Sequence, residues 1–156
     1  MVTVRPFEIN DIDAINVIFD EIDEMHREAR PDFFKKSNEP FRTVSYYEKF
    51  GADTDELFVA DIDGNIVGFL EISIKTAGNV PIMIPRKVGF VDTLAVSSRL
   101  QRSGVGAALM EQAEAWSREK GAQSVDFMVW HFNDNAIAFY EHRGYSEVMR
   151  RMSKPL

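Results

Sequence analysis

The chain has 156 residues, of which 45% are hydrophobic and 28% charged, and this balance is that of an ordinary globular protein. The formal net charge of -7 argues against a nucleic-acid-binding surface, which needs a basic stripe. Because the chain has no cysteine, it has no disulfide, no thiolate metal site and no thiol nucleophile. We expect one domain over residues 1–156, a cytoplasmic location and no metal. We also expect no membrane segment, because no apolar run is long enough to span a bilayer.

The first half of the chain predicts a short strand, two helices and a hairpin. A long amphipathic helix begins at a cap near Asn10 or Asp11 and ends at Pro31. The turn Asp63-Gly64-Asn65 separates two apolar runs, which is typical of a tight hairpin. The strand, the shorter helix and the two hairpin strands are predicted at 2–5, 43–50, 56–62 and 66–74.

The second half predicts a strand ending at Val96, a helix from about Val105 to Gly121, a strand, a helix and a last strand. The last three elements are predicted at 124–132, at 134–143 and at 145–152, where apolar and polar residues alternate. Hairpin strands are antiparallel and strand-helix-strand crossovers are parallel, so the sheet must be mixed. The fold class is therefore α/β with a mixed sheet, also described as α+β.

A glycine-containing loop begins the helix after the central strand. The sequence Gln101-Arg102-Ser103-Gly104-Val105-Gly106 places glycines where unpaired N–H groups and the helix dipole favour a phosphate. A P-loop is excluded because no lysine stands at the required spacing. A dinucleotide-binding fingerprint is excluded because Leu109 replaces its third glycine.

A second motif follows about thirty residues later. It runs Asn133-Asp134-Asn135-Ala136-Ile137-Ala138-Phe139-Tyr140 and ends at Gly144-Tyr145. Together the two motifs resemble the signatures of the GNAT superfamily of N-acetyltransferases, (Gln/Arg)-x-x-Gly-x-(Gly/Ala) and Asn-x-x-Ala-x-x-(Phe/Leu)-Tyr. The resemblance implies the GNAT fold, with a mixed central sheet of six to seven strands flanked by four helices.

The resemblance also implies acetyl-CoA as co-substrate and assigns residues to it. Backbone groups of the central strand would hold the pantetheine arm, and the loop and helix start would hold the pyrophosphate. Asn133 and Ala136 would contact the cofactor from the second helix, and Tyr140 would face the thioester sulfur as general acid. The strand and loop residues are Leu94, Ala95, Val96, Gln101, Arg102, Ser103, Gly104, Val105, Gly106 and Ala107.

The general base has three candidates. Strand alternation predicts Phe90, Asp92 and Leu94 on one face, so Asp92 is the first candidate, and Glu71 of the neighbouring strand is the second. Phe90 stands where several relatives carry a glutamate base, so an ordered water is the third candidate. The acceptor-binding residues that the resemblance suggests are His26, Arg30, Phe33 and Glu71.

The predicted activity is acetyl transfer to a primary amine of a small molecule or peptide, by direct attack in a ternary complex. The alternative is a non-catalytic acyl-CoA sensor, which would keep the cofactor residues but need no Tyr140. The acidic N-terminal helix favours a cationic acceptor over nucleic acid or membrane. A homodimer is also expected, through either the apolar loop Val80–Pro85 or the free edge of the last strand.

Overall fold

The computed structural model describes residues 1–156, and its regular elements follow the predicted order as far as the last helix. The strands are β1 (Thr3–Pro6), β2 (Asp55–Ile62), β3 (Asn65–Ala77), β4 (Arg86–Val96) and β5 (Ser124–Phe127). The helices are α1 (Ile12–Ala29), α2 (Val44–Tyr47), α3 (Val105–Glu119) and α4 (Asp134–His142). Short 3-10 helices cover Ile9–Asp11 and Ser98–Leu100.

The strands form one sheet in chain order, β1-β2-β3-β4-β5. The first four strands are antiparallel to their neighbours, and β5 is parallel to β4, so the prediction of a mixed sheet is confirmed. The predicted hairpin is also confirmed. Asp63 and Gly64 have φ values of 52° and 81°, the left-handed conformation that a two-residue hairpin turn between twisted strands requires.

The sheet has five strands, not the predicted six to seven. The segment 145–152 is not a strand, because no backbone N–H after Tyr145 finds an acceptor in the chain. The strand predicted at 124–132 ends at Phe127, beyond which β4 no longer pairs with it. Alternation marks a segment that can be a strand, but only a pairing partner makes it one.

Two cores lie on the two faces of the sheet. One core packs residues such as Phe58 and Leu70 against Leu109 of α3, and the other packs Phe69 against Ile15 of α1. Neighbouring positions on β3 thus face opposite cores, as the two-residue strand period dictates. None of the helices combines the length and the apolar character that crossing a membrane requires.

A β-bulge in β4 shapes the open side of the sheet. Glu71 pairs with Thr93 and Ile72 with Val91, which leaves Asp92 without a partner on β3. Pairing between β4 and β5 stops at Val91 and Phe127. Because a bulge bends its strand and increases its twist, β4 leaves β5 at this point. The two strands form a fork that is open beyond Val91.

Candidate acetyl-CoA site

The arm of the fork formed by β4 carries the residues predicted to hold the pantetheine arm. Leu94, Ala95 and Val96 pair with β3 on one side and with no strand on the other. Ala95 is buried at 3% exposure, whereas Leu94 and Val96 are half-buried. An extended amide-containing chain can add to such an edge through main-chain hydrogen bonds.

The loop after β4 leads into a group of free N–H donors. The backbone N–H groups of Gly104, Val105, Gly106 and Ala107 donate no hydrogen bond within the chain, and no side chain caps α3. Free N–H groups and the helix dipole favour an anion at this end of a helix. The structure therefore leaves the first turn of α3 open to a phosphate ligand.

The conformation of the loop depends on two residues with positive φ. Arg102 has φ 64° and Gly104 has φ 87°, and residues Gln101 to Gly104 are all exposed. The Ser103 hydroxyl donates to the Leu100 carbonyl and holds the loop closed. Arg102 forms no salt bridge, so its guanidinium is free to meet an anion at the rim of the loop.

The second motif meets the first where α3 and α4 pack. A Cβ built on Gly106 would lie 3.4 Å from the ring of Phe139, an ordinary van der Waals contact, so α3 and α4 pack directly against each other at this position. The Asn133 side chain caps α4, its Oδ1 accepting from the Ala136 N–H at 3.2 Å. The Ala136 N–H is thus already bonded, and the Asn133 amide nitrogen is the group left free for a ligand.

Tyr140 packs against β5 in the arm opposite to β4. Its ring lies 4.1 Å from that of Phe127 and 6.1 Å from that of Tyr145, centroid to centroid. Burial raises the pKa of Tyr140 to about 12, so the phenol is protonated at neutral pH. Its hydroxyl forms no hydrogen bond within the chain, in contrast to that of Tyr145, which donates to Glu114 at 2.9 Å.

Two carboxylates flank the bulge on the α1 side of the sheet. Asp92 is 40% exposed and accepts hydrogen bonds from Ser73 Oγ at 2.8 Å and from Lys75 Nζ at 3.1 Å. Glu71 is buried at 2% exposure and accepts from the Tyr46 hydroxyl at 2.6 Å. Burial and this hydrogen bond raise the pKa of Tyr46.

The predicted alternation of Phe90, Asp92 and Leu94 along β4 is wrong for Leu94. Leu94 packs with the α3 core, whereas Asp92 bonds Ser73 on the opposite face. The bulge breaks the two-residue period between these positions. Sequence periodicity cannot detect this break, because a bulge is a shift in how β4 pairs with β3 and is not marked by the residue types of β4 alone.

An aromatic cluster contains three of the predicted acceptor residues. His26, Arg30 and Phe33 at the end of α1 meet Trp130 and Phe132 in the segment after β5. The Arg30 guanidinium lies 4.3 Å from the Phe33 ring centroid and 5.5 Å from that of Trp130, and it pairs with Asp32. Glu71 is not part of this cluster.

Sequence reasoning missed Trp130, Phe132 and Tyr46 as members of these groups. The sequence predicts Trp130 and Phe132 within a strand, where apolar residues spaced two apart are as typical of a core as of a ligand contact. A cavity of about 570 Å³ lies beside Phe132 and Asn133, lined also by Met25, Glu28 and Ala29 of α1. No group of three or more potential metal ligands lies together, and the predicted absence of a metal remains a prediction.

Comparison with known proteins places this geometry in a family. Residues 22–145 match the model of the acetyltransferase (GNAT) family. An uncharacterized N-acetyltransferase of Methanocaldococcus jannaschii is 27% identical over 137 residues, which is 85% of this chain and 59% of that protein. The chain thus spans less than two thirds of the length of this relative.

Solved structures share the fold at low sequence identity. A tetramutant of a Bacillus halodurans protein has a TM-score of 0.90 at 22% identity and covers 99% of both chains. An aminoglycoside N-acetyltransferase in complex with CoA has a TM-score of 0.70 at 17% identity, over 100% of this chain and 95% of that chain. With the family model matching most of its length, the chain belongs to the GNAT family of acetyltransferases.

Proposed function

We propose that this chain transfers the acetyl group of acetyl-CoA to a primary amine of a small molecule or peptide, by direct attack in a ternary complex. The free edge of β4 beside the free N–H groups of α3 supports this most directly. The pantetheine arm of CoA contains amides and ends in a pyrophosphate. The arm would lie along the free edge of β4, and the pyrophosphate would lie at the start of α3, which follows β4 in the chain. The similar aminoglycoside N-acetyltransferase in complex with CoA fits the same interpretation.

The fork between β4 and β5 suits the chemistry because it brings different groups to its two arms. Backbone N–H groups on the free edge of β4 can stabilise the oxyanion that forms when an amine attacks a thioester carbonyl. Tyr140 on the other arm supplies a protonated hydroxyl with no partner in the chain for the departing thiolate. A non-catalytic sensor needs the first group but not the second, which favours an enzyme.

The acceptor must lose a proton before it attacks, because an ordinary alkylammonium has a pKa near ~10.4 and no lone pair. We assign this task to Asp92, with Glu71 and an ordered water as the alternatives. Asp92 is accessible at the bulge, where β4 and β5 separate. Glu71 is almost fully buried and one of its oxygens accepts from Tyr46, so it is less accessible to a ligand than Asp92.

The aromatic cluster around Trp130 favours a cationic acceptor. Aromatic faces attract cations, and the Arg30 guanidinium already lies against Phe33 and Trp130. Its neighbour Asp32 accepts two hydrogen bonds from Arg30, so this pair adds no net positive charge that would repel a cation. We propose that an amine-rich acceptor binds at this cluster, next to the cavity lined by Phe132 and Asn133.

Thermal unfolding with acetyl-CoA tests the proposal. A ligand present at 100 times its dissociation constant stabilises the folded state by about 2.7 kcal/mol. For a domain of this size that raises the melting temperature by roughly 5–10 °C. Saturating acetyl-CoA without any shift would contradict both the transferase and the sensor. A thermal shift without release of free thiol, when polyamines, aminoglycosides and peptide N-termini are each tested as acceptors, would favour the non-catalytic sensor over the transferase.

Replacing Asp92 by Asn tests the base. We expect kcat/KM to fall by about tenfold, below the ~10²–10⁴ typical of general bases, because water has access to this exposed position. Affinity for acetyl-CoA should be unchanged, because Asp92 lies outside the proposed cofactor loop. Glu71→Gln is the matched comparison on the same sheet face. If Glu71→Gln lowers kcat/KM and Asp92→Asn does not, the assignment moves to Glu71; if neither does, it moves to water.

A further inference from the structure

One amine of the chain already lies on the carboxylate assigned as the base. Lys75 Nζ donates to Asp92 Oδ1 at 3.1 Å. The proposed mechanism needs an acceptor amine at this same carboxylate, because a base must reach the proton that it takes. The Lys75 amine therefore occupies a position that the proposed function gives to the acceptor.

The register of the sheet determines this arrangement. Lys75 lies opposite Val88 in the β3–β4 ladder, and its side chain runs along β4 toward the fork, where it reaches Asp92. Its Nζ also lies 3.8 Å from the centroid of the Phe90 ring. Ser73 of β3 holds the other oxygen of Asp92 at 2.8 Å. The amine and the base are thus both positioned by β3.

Stability alone does not account for the pair. The side chains of Lys75 and Asp92 are 47% and 40% exposed. Ion pairs this accessible to water contribute little to the stability of the fold. The lysine amine stands on a flexible four-carbon stem, so it can leave the carboxylate at small cost. Both groups are therefore available to a ligand that enters the fork.

The proposed cofactor site directs the thioester toward the same place. The pyrophosphate is assigned to the start of α3 at Val105, and β4 ends at Val96. The pantetheine arm then runs back along the free edge of β4, past Leu94 and toward Asp92, where the fork closes. Attack on the thioester needs a nitrogen about 3–3.5 Å from the carbonyl carbon. A lysine stem that already reaches Asp92 can place its nitrogen there.

We propose that Lys75 is an internal acetyl acceptor, which the chain modifies with bound acetyl-CoA when no other amine is present. This inference rests on the proposed transferase function. Asp92 takes a proton from the Lys75 ammonium, and Nζ attacks the thioester carbonyl. The C–N bond forms, the C–S bond breaks, and CoA leaves as the thiol. Of the two protons that Nζ loses, one passes through Asp92 to solvent and the other balances the proton that the thiol gains.

Acetylation changes the site in which later acceptors bind. It removes the positive charge of Lys75, so the ion pair with Asp92 is lost. An acetamide then stands beside Phe90 in place of the ammonium. Because an amide is not a nucleophile toward a thioester, the reaction occurs once in each chain.

Peptide mass spectrometry tests the proposal on the full-length chain, incubated with acetyl-CoA and no acceptor. We expect an acetyl group on Lys75, added at least about 10²-fold faster than on Lys49, because a held amine and an adjacent base both accelerate the transfer. Lys49 is the matched control, since it is exposed and lies 4.9 Å and 4.7 Å from two ring centroids but forms no salt bridge. Equal rates at the two lysines indicate reaction with free acetyl-CoA and overturn the proposal.

Three further measurements define the route of the acetyl group. The rate constant at Lys75 should not change as the protein is diluted, because the transfer occurs within one chain. Excess CoA should slow it to the rate at Lys49, because the acetyl group comes from bound cofactor. Asp92→Asn should lower it by at least about tenfold and leave Lys49 unaffected. A rate that rises with protein concentration, resists CoA or survives Asp92→Asn contradicts the internal transfer.

Thiol release with external amines separates this inference from the proposed function. Polyamines, aminoglycosides and peptide N-termini are each supplied in parallel with the acceptor-free reaction. Transfer to any of them without acetylation of Lys75 overturns the internal acceptor and leaves the transferase in place. Absence of acetyl-Lys75, of thiol release and of a thermal shift contradicts both proposals.

Discussion

Replacing Gly104 by Glu is expected to weaken acetyl-CoA binding by about 10³-fold while the protein stays folded. Gly104 precedes the free N–H groups at the start of α3. A carboxylate there repels a phosphate about 4 Å away by about 4 kcal/mol at the effective dielectric constant of a protein surface. Since 1.4 kcal/mol corresponds to a tenfold change, this predicts the stated loss of affinity.

The fold should survive because the position is open. A Cβ built on Gly104 meets no atom within 4 Å, so the only cost is the left-handed backbone at φ 87°. That cost is roughly 1–2 kcal/mol for a residue with a side chain, which is less than the usual stability of a domain. At 100 times the native dissociation constant, the thermal shift of the variant should be close to zero.

Gly121 provides the matched control at the other end of the same helix. It also has a positive φ, of 75°, and no atom within 4 Å of its built Cβ. Gly121→Glu therefore carries similar backbone strain but lies at the opposite end of α3 from the free N–H groups, and it should keep its affinity for acetyl-CoA. Equal affinity in the two variants would show that this loop does not hold the pyrophosphate. Gly104→Asn, which tolerates the backbone without adding charge, separates strain from repulsion.

The sequence was most informative where local chemistry determines the structure. The hairpin at Asp63-Gly64, the start of α3 after Gly104 and the cap of α4 at Asn133 all form as predicted. Each depends on backbone conformation or capping within a few residues, which the residue types alone specify. The last two also carry the two family motifs, so the residues proposed to hold acetyl-CoA could be named from the sequence.

The sequence was least informative where a distant partner decides. The segment 145–152 alternates like a strand but has no partner in its own chain. The bulge that separates Asp92 from Leu94 exists only in the register between β3 and β4. The contacts between the end of α1 and Trp130 join residues about a hundred positions apart. Local patterns contain none of this pairing information.

Replacing Tyr140 by Phe is expected to lower turnover by at least about 10²-fold and to leave acetyl-CoA affinity nearly unchanged. The substitution keeps the ring that packs on Phe127 and removes only a hydroxyl with no partner in the chain. General acids of this kind contribute ~10² to 10⁴ in rate. With its pKa raised to about 12, the phenol is a weaker acid than a thiol near ~8.5. Its main contribution is therefore a hydrogen bond to the thiolate as the C–S bond breaks, which places the effect at the lower end of that range.

Tyr145→Phe is the matched control, because the two rings are neighbours and only the second hydroxyl is bonded. Losing a hydrogen bond to a carboxylate costs about 1.5–3 kcal/mol, so Tyr145→Phe should lower the melting temperature and keep its turnover. Tyr140→Phe should keep the melting temperature, since no hydrogen bond within the chain is lost, and should lower turnover. The measurements are single-turnover rates with an acceptor for which chemistry is rate-limiting, together with melting curves. If Tyr140→Phe turns over as fast as the native chain, Tyr140 is a packing residue and water protonates the leaving thiolate.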